Sequence, residues 1–381
     1  MYEVGAAEQH ILSRRRKALE ALLAFDPVHP GRGRDGHTGN QILDHAMAYA
    51  LFASSARYLG LHEEATNARS WLIDDAAKPD GQTGWGLPFS WDAFADGDPN
   101  PIETIYGITT ALAVRALLDC AEKGKVPVQA ISALENYLRF SNRTDDGVYF
   151  WYSNQRCDAK SVFNVTAMLA GQYARAGFLL GRNDFMQIAE AAAKDIVANR
   201  RQSRNGFYWN YGPEVARPND AVHAAYTVLG LLEVQRWLGI DLDLKTATMY
   251  LRKFFRDGKP YEFVRHDGLE EKRFKKAARP WGVGALLMVA CEAEDKHLQS
   301  LSEAYLADRS TYVVTDELFF PRQFAHIAWG LARSSLKMGE TQATQPNLDE
   351  GEESARQASY RIFGFEWRRR RQPRDQNGKG C

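Results

Sequence analysis

The chain has 381 residues, 45% hydrophobic and 25% charged, which is enough apolar material for a large buried core and excludes a disordered chain. Its 48 basic and 48 acidic side chains cancel, so no global field draws it toward nucleic acid or an anionic membrane surface. Cys120, Cys157, Cys291 and Cys381 are scattered, with no CxxC pair and no histidine at metal-ligand spacing; neither a disulfide framework, a metal site nor a cofactor is implied.

The first residues, MYEVGAAEQHILSRRRKAL, carry charges where a signal peptide needs an apolar core. No later segment reaches the roughly 20 uninterrupted apolar residues of a membrane span. A cytoplasmic protein with reduced thiols and no transmembrane segment is expected. Apolar residues at helical spacing then dominate from about residue 7 to 338. A small-residue helix returns roughly every 60 residues: Ala46 to Ala53, Ile105 to Ala113, Val162 to Ala170 and Val222 to Gly230 align one above the next.

Helices of this kind, beginning near Gln41, Ile102, Lys160, Asp220, Trp281 and Arg322, are poor in charge and suit an inner ring packed on several sides. Between them lie amphipathic helices, Glu63 to Ala76, Val128 to Phe140, Phe185 to Arg200, Leu244 to Phe255 and Leu298 to Leu306, each with one apolar stripe for an outer ring. The fold class is therefore all-α, an (α/α)6 toroid of six helical hairpins over residues 1–338. Inner-to-outer connections are short. Outer-to-inner connections, such as Lys78 to Pro101, Asn142 to Asp158, Ser203 to Arg217, Asp257 to Arg279 and Ser310 to Pro321, are long and emerge on one face. Several open with PDG, DDG, RNG or RDG turns leading into aromatic runs that suit hairpins. Residues 339–381 form a polar tail, expected to be disordered, whose Arg368 to Arg371 run offers a site for an anionic partner.

The long loops combine aromatic faces with acids and amides. That pairing suits a saccharide, whose C–H face stacks and whose hydroxyls hydrogen-bond. Trp85, Trp91, Trp151 and Trp209 are the candidate stacking surfaces, with Tyr152 and Tyr211 beside them and Arg156 and Arg217 available to a carboxylate. At the inner-helix starts, Glu103 with Tyr106 and Asp220 with His223 occupy matching repeat positions, each an i, i+3 pair on one helical face. Glu103 and Asp220 are the preferred acid/base pair across a cleft, Asp92 and Asp158 the alternates, and Tyr106 and His223 assist proton transfer. Capping competes with catalysis at these positions, because Asn100-Pro101-Ile102-Glu103 is a good helix start and Asp158 and Asp220 suit first-turn acids. His45 and His326 rank lower. Asp316-Glu317 is read first as a solvated turn, and the basic group Arg265, Lys272, Arg273, Lys275, Lys276 and Arg279 suits either an anionic substrate or a charged surface.

The repeat period, the turn-opened aromatic loops and helices such as TIYGITTALAVRALLD and SVFNVTAMLAGQYARAG resemble the six-hairpin toroid superfamily. Its α/α-barrel glycoside hydrolases, uronyl hydrolases, polysaccharide lyases and epimerases imply hydrolysis or elimination on an oligosaccharide or uronate-containing glycan. A similarity to bacterial exopolysaccharide-associated toroids implies a polysaccharide pathway. The DxDD and DDxxD motifs of the terpenoid cyclases are missing, as are the zinc sets of the prenyltransferases and lanthionine cyclases, so those chemistries are disfavoured. The competing class is a non-catalytic saccharide-binding or scaffold protein in which these acids only cap helices.

Overall fold

The computed structural model describes residues 6–122, 125–143, 147–213, 219–267, 270–273, 278–308 and 320–336, with no side-chain description for 6–10 or 265–273. Six charge-poor helices form an inner ring: α2 (Ala46–Leu59), α4 (Gly107–Asp119), α6 (Phe163–Leu180), α8 (Ala221–Leu238), α10 (Pro280–Glu292) and α12 (Pro321–Ser334). Each packs on the next, and α12 returns to α2, so the ring is closed. Burial follows composition. Every residue of α4 from Thr109 to Asp119 is buried, as a helix enclosed on both sides requires.

The outer helices α3 (His62–Asp75), α5 (Val128–Tyr137), α7 (Asn183–Ala198), α9 (Lys245–Leu251) and α11 (Lys296–Ala307) each pack on the inner helix before them. In α7 the apolar stripe is Phe185, Ala189, Ala192, Ala193 and Ile196, the spacing of one helical face. The sixth pair differs from the other five. It joins α1 (Ala6–Leu22) to α12, so the ring is closed by helices from opposite ends of the described chain. Gly60, Gly181 and Gly239 end α2, α6 and α8 in the left-handed conformation, which is why the inner-to-outer turns are so short.

Inner helices touch through small residues. A Cβ on Gly230 of α8 would lie 2.2 Å from the backbone of Ala167 in α6, and α10 and α12 meet in the same way at Gly284 and Gly330.

The outer-to-inner connections carry antiparallel hairpins: β1 (Arg32–Gly33) with β2 (Leu43–Asp44), β3 (Ser141–Arg143) with β4 (Val148–Phe150), β5 (Arg201–Ser203) with β6 (Gly206–Tyr208), β7 (Phe255–Arg256) with β8 (Lys259–Pro260), and β9 (Val264–Asp267) with β10 (Glu270–Arg273). All lead to inner-helix N-termini and therefore share one end of the ring, its mouth. Successive loops are stitched together there. Tyr106 bridges Ser153, Phe163 N–H donates to Tyr211 C=O at 3.0 Å, and Ala221 N–H donates to Glu262 C=O at 3.0 Å.

The opposite end is filled by charge. Arg175 of α6 meets Asp119 of α4 at 2.6 Å, Arg115 of α4 meets Glu233 of α8 at 3.0 Å, and Arg333 of α12 and Arg236 of α8 both meet Glu292 of α10. Ser54 of α2 donates to Asp119 at 2.8 Å, so all six inner helices enter one buried ionic cluster. Arg115 Nη1 lies close to Glu233 without a well-aligned hydrogen bond, so that contact is chiefly ionic. Against burial, which disfavours its charge, Arg236, Arg333 and Arg115, the last 3.5 Å away, hold the Glu292 carboxyl far below the usual range.

The inner helices α2, α4 and α6 begin later than the repeat register predicts, at Ala46, Gly107 and Phe163, and the shift of α4 matters. The segment from Asn100 is no helix start, because both Asn100 backbone groups pair with Trp91 while its side-chain N–H group donates to Asp158 at 2.6 Å and to the Tyr106 hydroxyl at 3.1 Å. With Asn100 so engaged, the helix starts at Gly107 instead. Glu103 is left in a turn with φ 74°, a left-handed conformation uncommon outside glycine.

Candidate active site at the mouth of the ring

Asp220 is the N-cap of α8 and does two things at once. Its Oδ1 accepts the backbone N–H of His223 at 2.9 Å, the expected cap, and also lies 2.6 Å from His223 Nδ1. The i, i+3 spacing makes this possible, since both side chains lie on one face of the first turn. The opposite oxygen, Oδ2, receives Arg279 Nη2 at 3.0 Å. Arg279, the N-cap residue of α10, also donates to Glu262 from Nε at 2.6 Å and from its backbone N–H at 2.8 Å. Burial opposes ionisation of Asp220, but the charge of His223, two hydrogen bonds from that residue and the charge of Arg279 outweigh it, so the carboxyl sits below its ordinary range. Asp220 is therefore a fixed carboxylate. With Nδ1 held by it and the side chain a quarter exposed, Nε2 is the nitrogen His223 presents to a ligand. The Tyr211 ring packs edge-on against the imidazole at 5.0 Å.

Next to this dyad lies a second set from α10, α12 and the first loop. Arg322 pairs with buried Asp35 at 2.9 Å, and the guanidinium groups of Arg279 and Arg322 lie 4.6 and 5.5 Å from the Trp281 ring. His326 packs edge-on against Trp281 and is fully buried. Its Nδ1 donates to Arg322 C=O at 2.6 Å, so Nε2 accepts from the Tyr226 hydroxyl. Burial takes the His326 pKa down to about 3, and burial with the charge of Arg322 takes buried His45 to about 4. Both are neutral structural imidazoles at physiological pH.

Asn164, in the first turn of α6, is buried. Thr166, two residues on and on the opposite side of the helix, bonds the β3–β4 hairpin. Asn164 Oδ1 is buried without a partner among the described residues, as are His45 Nδ1 and Trp281 Nε1. A small cavity lined by Trp209, Asn219, Val228 and Tyr250 lies behind α8, toward α9, and has no charged side chain in its lining.

Of the residues expected from sequence, Asp220, His223 and Tyr211 come together, with Arg279 from the basic loop. Glu103 does not join them. Its side chain is 56% exposed, is 3.5 Å from Lys78 just after outer helix α3, and shares no helical face with Tyr106, which is buried at the N-cap of α4. The proposed pair across a cleft is corrected accordingly. Asp158 is a buried anchor that accepts from Asn100 and from Ser153 at 2.7 Å, and Asp92 accepts the backbone N–H groups of Asp96 and Gly97 in its own loop.

Trp85 and Trp209 are corrected as well. Both are buried, with indole N–H groups donating to the C=O of Leu72 and Ile196, so they are core residues and offer no stacking face. Trp91 is half-buried against His37, Tyr152 half-buried against Phe94 and Tyr106, and Trp151 half-buried against Phe140 with its N–H on Asn142. Arg156 is exposed. Arg217, Glu214, Asp316, Glu317, Lys275, Lys276 and the 339–381 tail lie outside the described residues, as do the side chains of Arg265, Lys272 and Arg273.

Glu262, Asp35, Arg322, Trp281, Tyr226 and Asn164 were not singled out as site residues. Trp281 and Arg322 stand at inner-helix starts, so the first-turn register was the available signal for them; Asp35 and Glu262 sit in loops where no periodicity marks them.

No protein-family model matches the sequence, and no curated protein matches it. Solved structures do match in shape. They include an α-amylase from Clostridium perfringens (TM-score 0.61, 11% identity, 84% of this chain and 97% of that one). A sugar epimerase from a ruminal bacterium follows (0.57, 11%, 86% and 100%), with an α-mannanase from Bacteroides thetaiotaomicron (0.58, 11%, 85% and 95%). The chain thus shares the (α/α)6 toroid fold of these structures, over nearly their whole length. Among the described residues no helix is long and apolar enough to cross a membrane.

Proposed function

We propose that this chain is a carbohydrate-active enzyme that moves a proton at the carbon next to a sugar carbonyl, with His223 as the acid/base group. The observation that carries this is the 2.6 Å contact between His223 Nδ1 and Asp220, which fixes the imidazole and leaves Nε2 to the ligand. Nε2 takes the carbon-bound proton and the C–H electron pair moves toward the carbonyl to give an enediolate. Return of that proton to the former carbonyl carbon, with a hydroxyl proton passing between the two oxygens, gives the isomer; protonation of the first carbon on its opposite face by solvent, to which the imidazolium loses its proton, gives the epimer. On a uronate the same first step leads to elimination. The positive charge of Arg279 beside the dyad favours the developing oxyanion.

This is narrower than hydrolysis by two carboxylates. Hydrolysis needs one carboxyl free to protonate a leaving group and another on the opposite side, whereas Asp220 and Glu262 are both committed to Arg279. The sugar epimerase among the structural matches is consistent with proton transfer on this scaffold; the likeness by itself extends only to the fold.

The test is proton NMR of a panel of reducing sugars, disaccharides and uronates in D2O. Loss of the signal next to the carbonyl with wild type is expected, falling about 100-fold or more in His223→Asn and less in Asp220→Asn. Cleavage of glycosides with no exchange into any reducing sugar would replace this proposal by hydrolysis, and binding without either would point to a saccharide-binding protein.

A further inference from the structure

We infer that Glu262 is a positioning residue: acting through Arg279, it sets how tightly Asp220 holds His223, and so the pH at which that imidazole changes charge. Its consequence for turnover rests on the proton-transfer function proposed above, whereas the coupling itself does not.

Four groups of alternating sign are hydrogen-bonded in series. Glu262 is 2% exposed and takes both the Nε and the backbone N–H of Arg279. Arg279 reaches on to Asp220 Oδ2, and Asp220 Oδ1 holds His223 Nδ1. The Glu262 main chain is locked to the same helix start, because its C=O accepts Ala221 N–H and Phe263 bridges Asp220. The two carboxylates are buried and the Arg279 and His223 side chains partly exposed, and charges in direct contact at such a site are screened less than in bulk water, so a change at one end is felt at the other.

With Glu262 in place, Arg279 is shared between two carboxylates. Without its charge, Arg279 is left to Asp220 alone and competes with His223 for that carboxylate. Removing Arg279 has the opposite effect, leaving two carboxylates near the imidazole. Among the described residues, the other groups around the dyad are Tyr226 one turn along α8, Tyr211 in the preceding loop, Arg322 and His326 of α12, and Asp35 and His37 of the first loop. Arg322 is already paired with Asp35, and His326 is bonded at both nitrogens. Neither variant alters those pairings directly.

The experiment is an NMR titration of the His223 imidazole in the full chain, assigned by its loss in His223→Asn, with folding followed by circular dichroism. Glu262→Gln is expected to move the midpoint to lower pH by about half a unit to one unit, and Arg279→Met to move it to higher pH by a similar amount. Opposite shifts in folded variants support the inference. Unmoved midpoints, or shifts of the same sign, overturn it; if Glu262→Gln does not fold, Arg279→Met alone decides, upward in support and unmoved against. Opposite shifts in a protein that exchanges hydrogen into no sugar would retain the coupling and remove the sugar chemistry.

Discussion

Glu103 and Asp220 look alike in the sequence and differ in the fold because of what precedes them. Upstream of Glu103, Asn100 is bound to Trp91, Asp158 and Tyr106 and is unavailable as a cap, so Glu103 turns outward to Lys78. Asp220 also holds Arg279 and the His223 ring, but its Oδ1 still accepts the His223 backbone N–H, so it caps α8 as its residue type prefers. The repeat register therefore places Asp220 at a helix start, where it lies, and misplaces Glu103, since a side chain's long-range partners are invisible to local pattern. Glu103→Gln is expected to leave turnover within about twofold of wild type and to cost at most about 1 kcal/mol, as for an exposed ion pair; the deuterium-exchange assay and urea unfolding measure both. A large loss of turnover with native stability would return Glu103 to the site.

At the scale of helices, the alternation of small-residue and amphipathic segments was legible and the fold bears it out. Boundaries were less so, because loop residues such as Ile105 and Tyr106 pair with Gly86 and Ser153 before the helix begins. The small residues also set how closely inner helices approach. Gly230→Ala places a methyl against the Ala167 backbone, and backbone cannot swing aside as a side chain can. A loss of about 1–3 kcal/mol is expected in urea unfolding, against about 0.5 kcal/mol or less for Gly36→Ala, where nothing lies within 4 Å. Equal effects in the two variants would show that the α6–α8 approach does not depend on the missing side chain.

Across the whole molecule, acid acts on both ends of the ring in the same direction. The pKa values of His45 and His326, about 4 and about 3 in the fold, lie below the unfolded value of roughly 6.5. The unfolded chain therefore binds protons first as pH falls, and stability present above about 6.5 is lost on the way down to about 4 for His45 and about 3 for His326. If fully expressed, His45 accounts for about 3 kcal/mol and His326 for about 5 kcal/mol. The depressed carboxyls Asp119, Asp220 and Glu292 contribute above an unfolded value of about 4 and lose that contribution at still lower pH. Thermal unfolding midpoints should thus be nearly level from pH 8 to 7 and fall steeply below 6.5, with a shallower fall in His45→Asn. A level midpoint down to pH 4 would contradict the burial of both rings.

Pairing α1 with α12 has a consequence in time as well as space. The helices that close the ring stand at 6–22 and 321–334, and everything between them must be synthesised before they can meet. A growing chain carries α1 without its partner, and α2 meets only one of its two ring neighbours until α12 has emerged. Domains are made at about 5–20 residues per second, so this unpaired surface persists for some tens of seconds. The toroid is thus a clasp that fastens last, and the interval before it fastens is when the chain has most need of a chaperone.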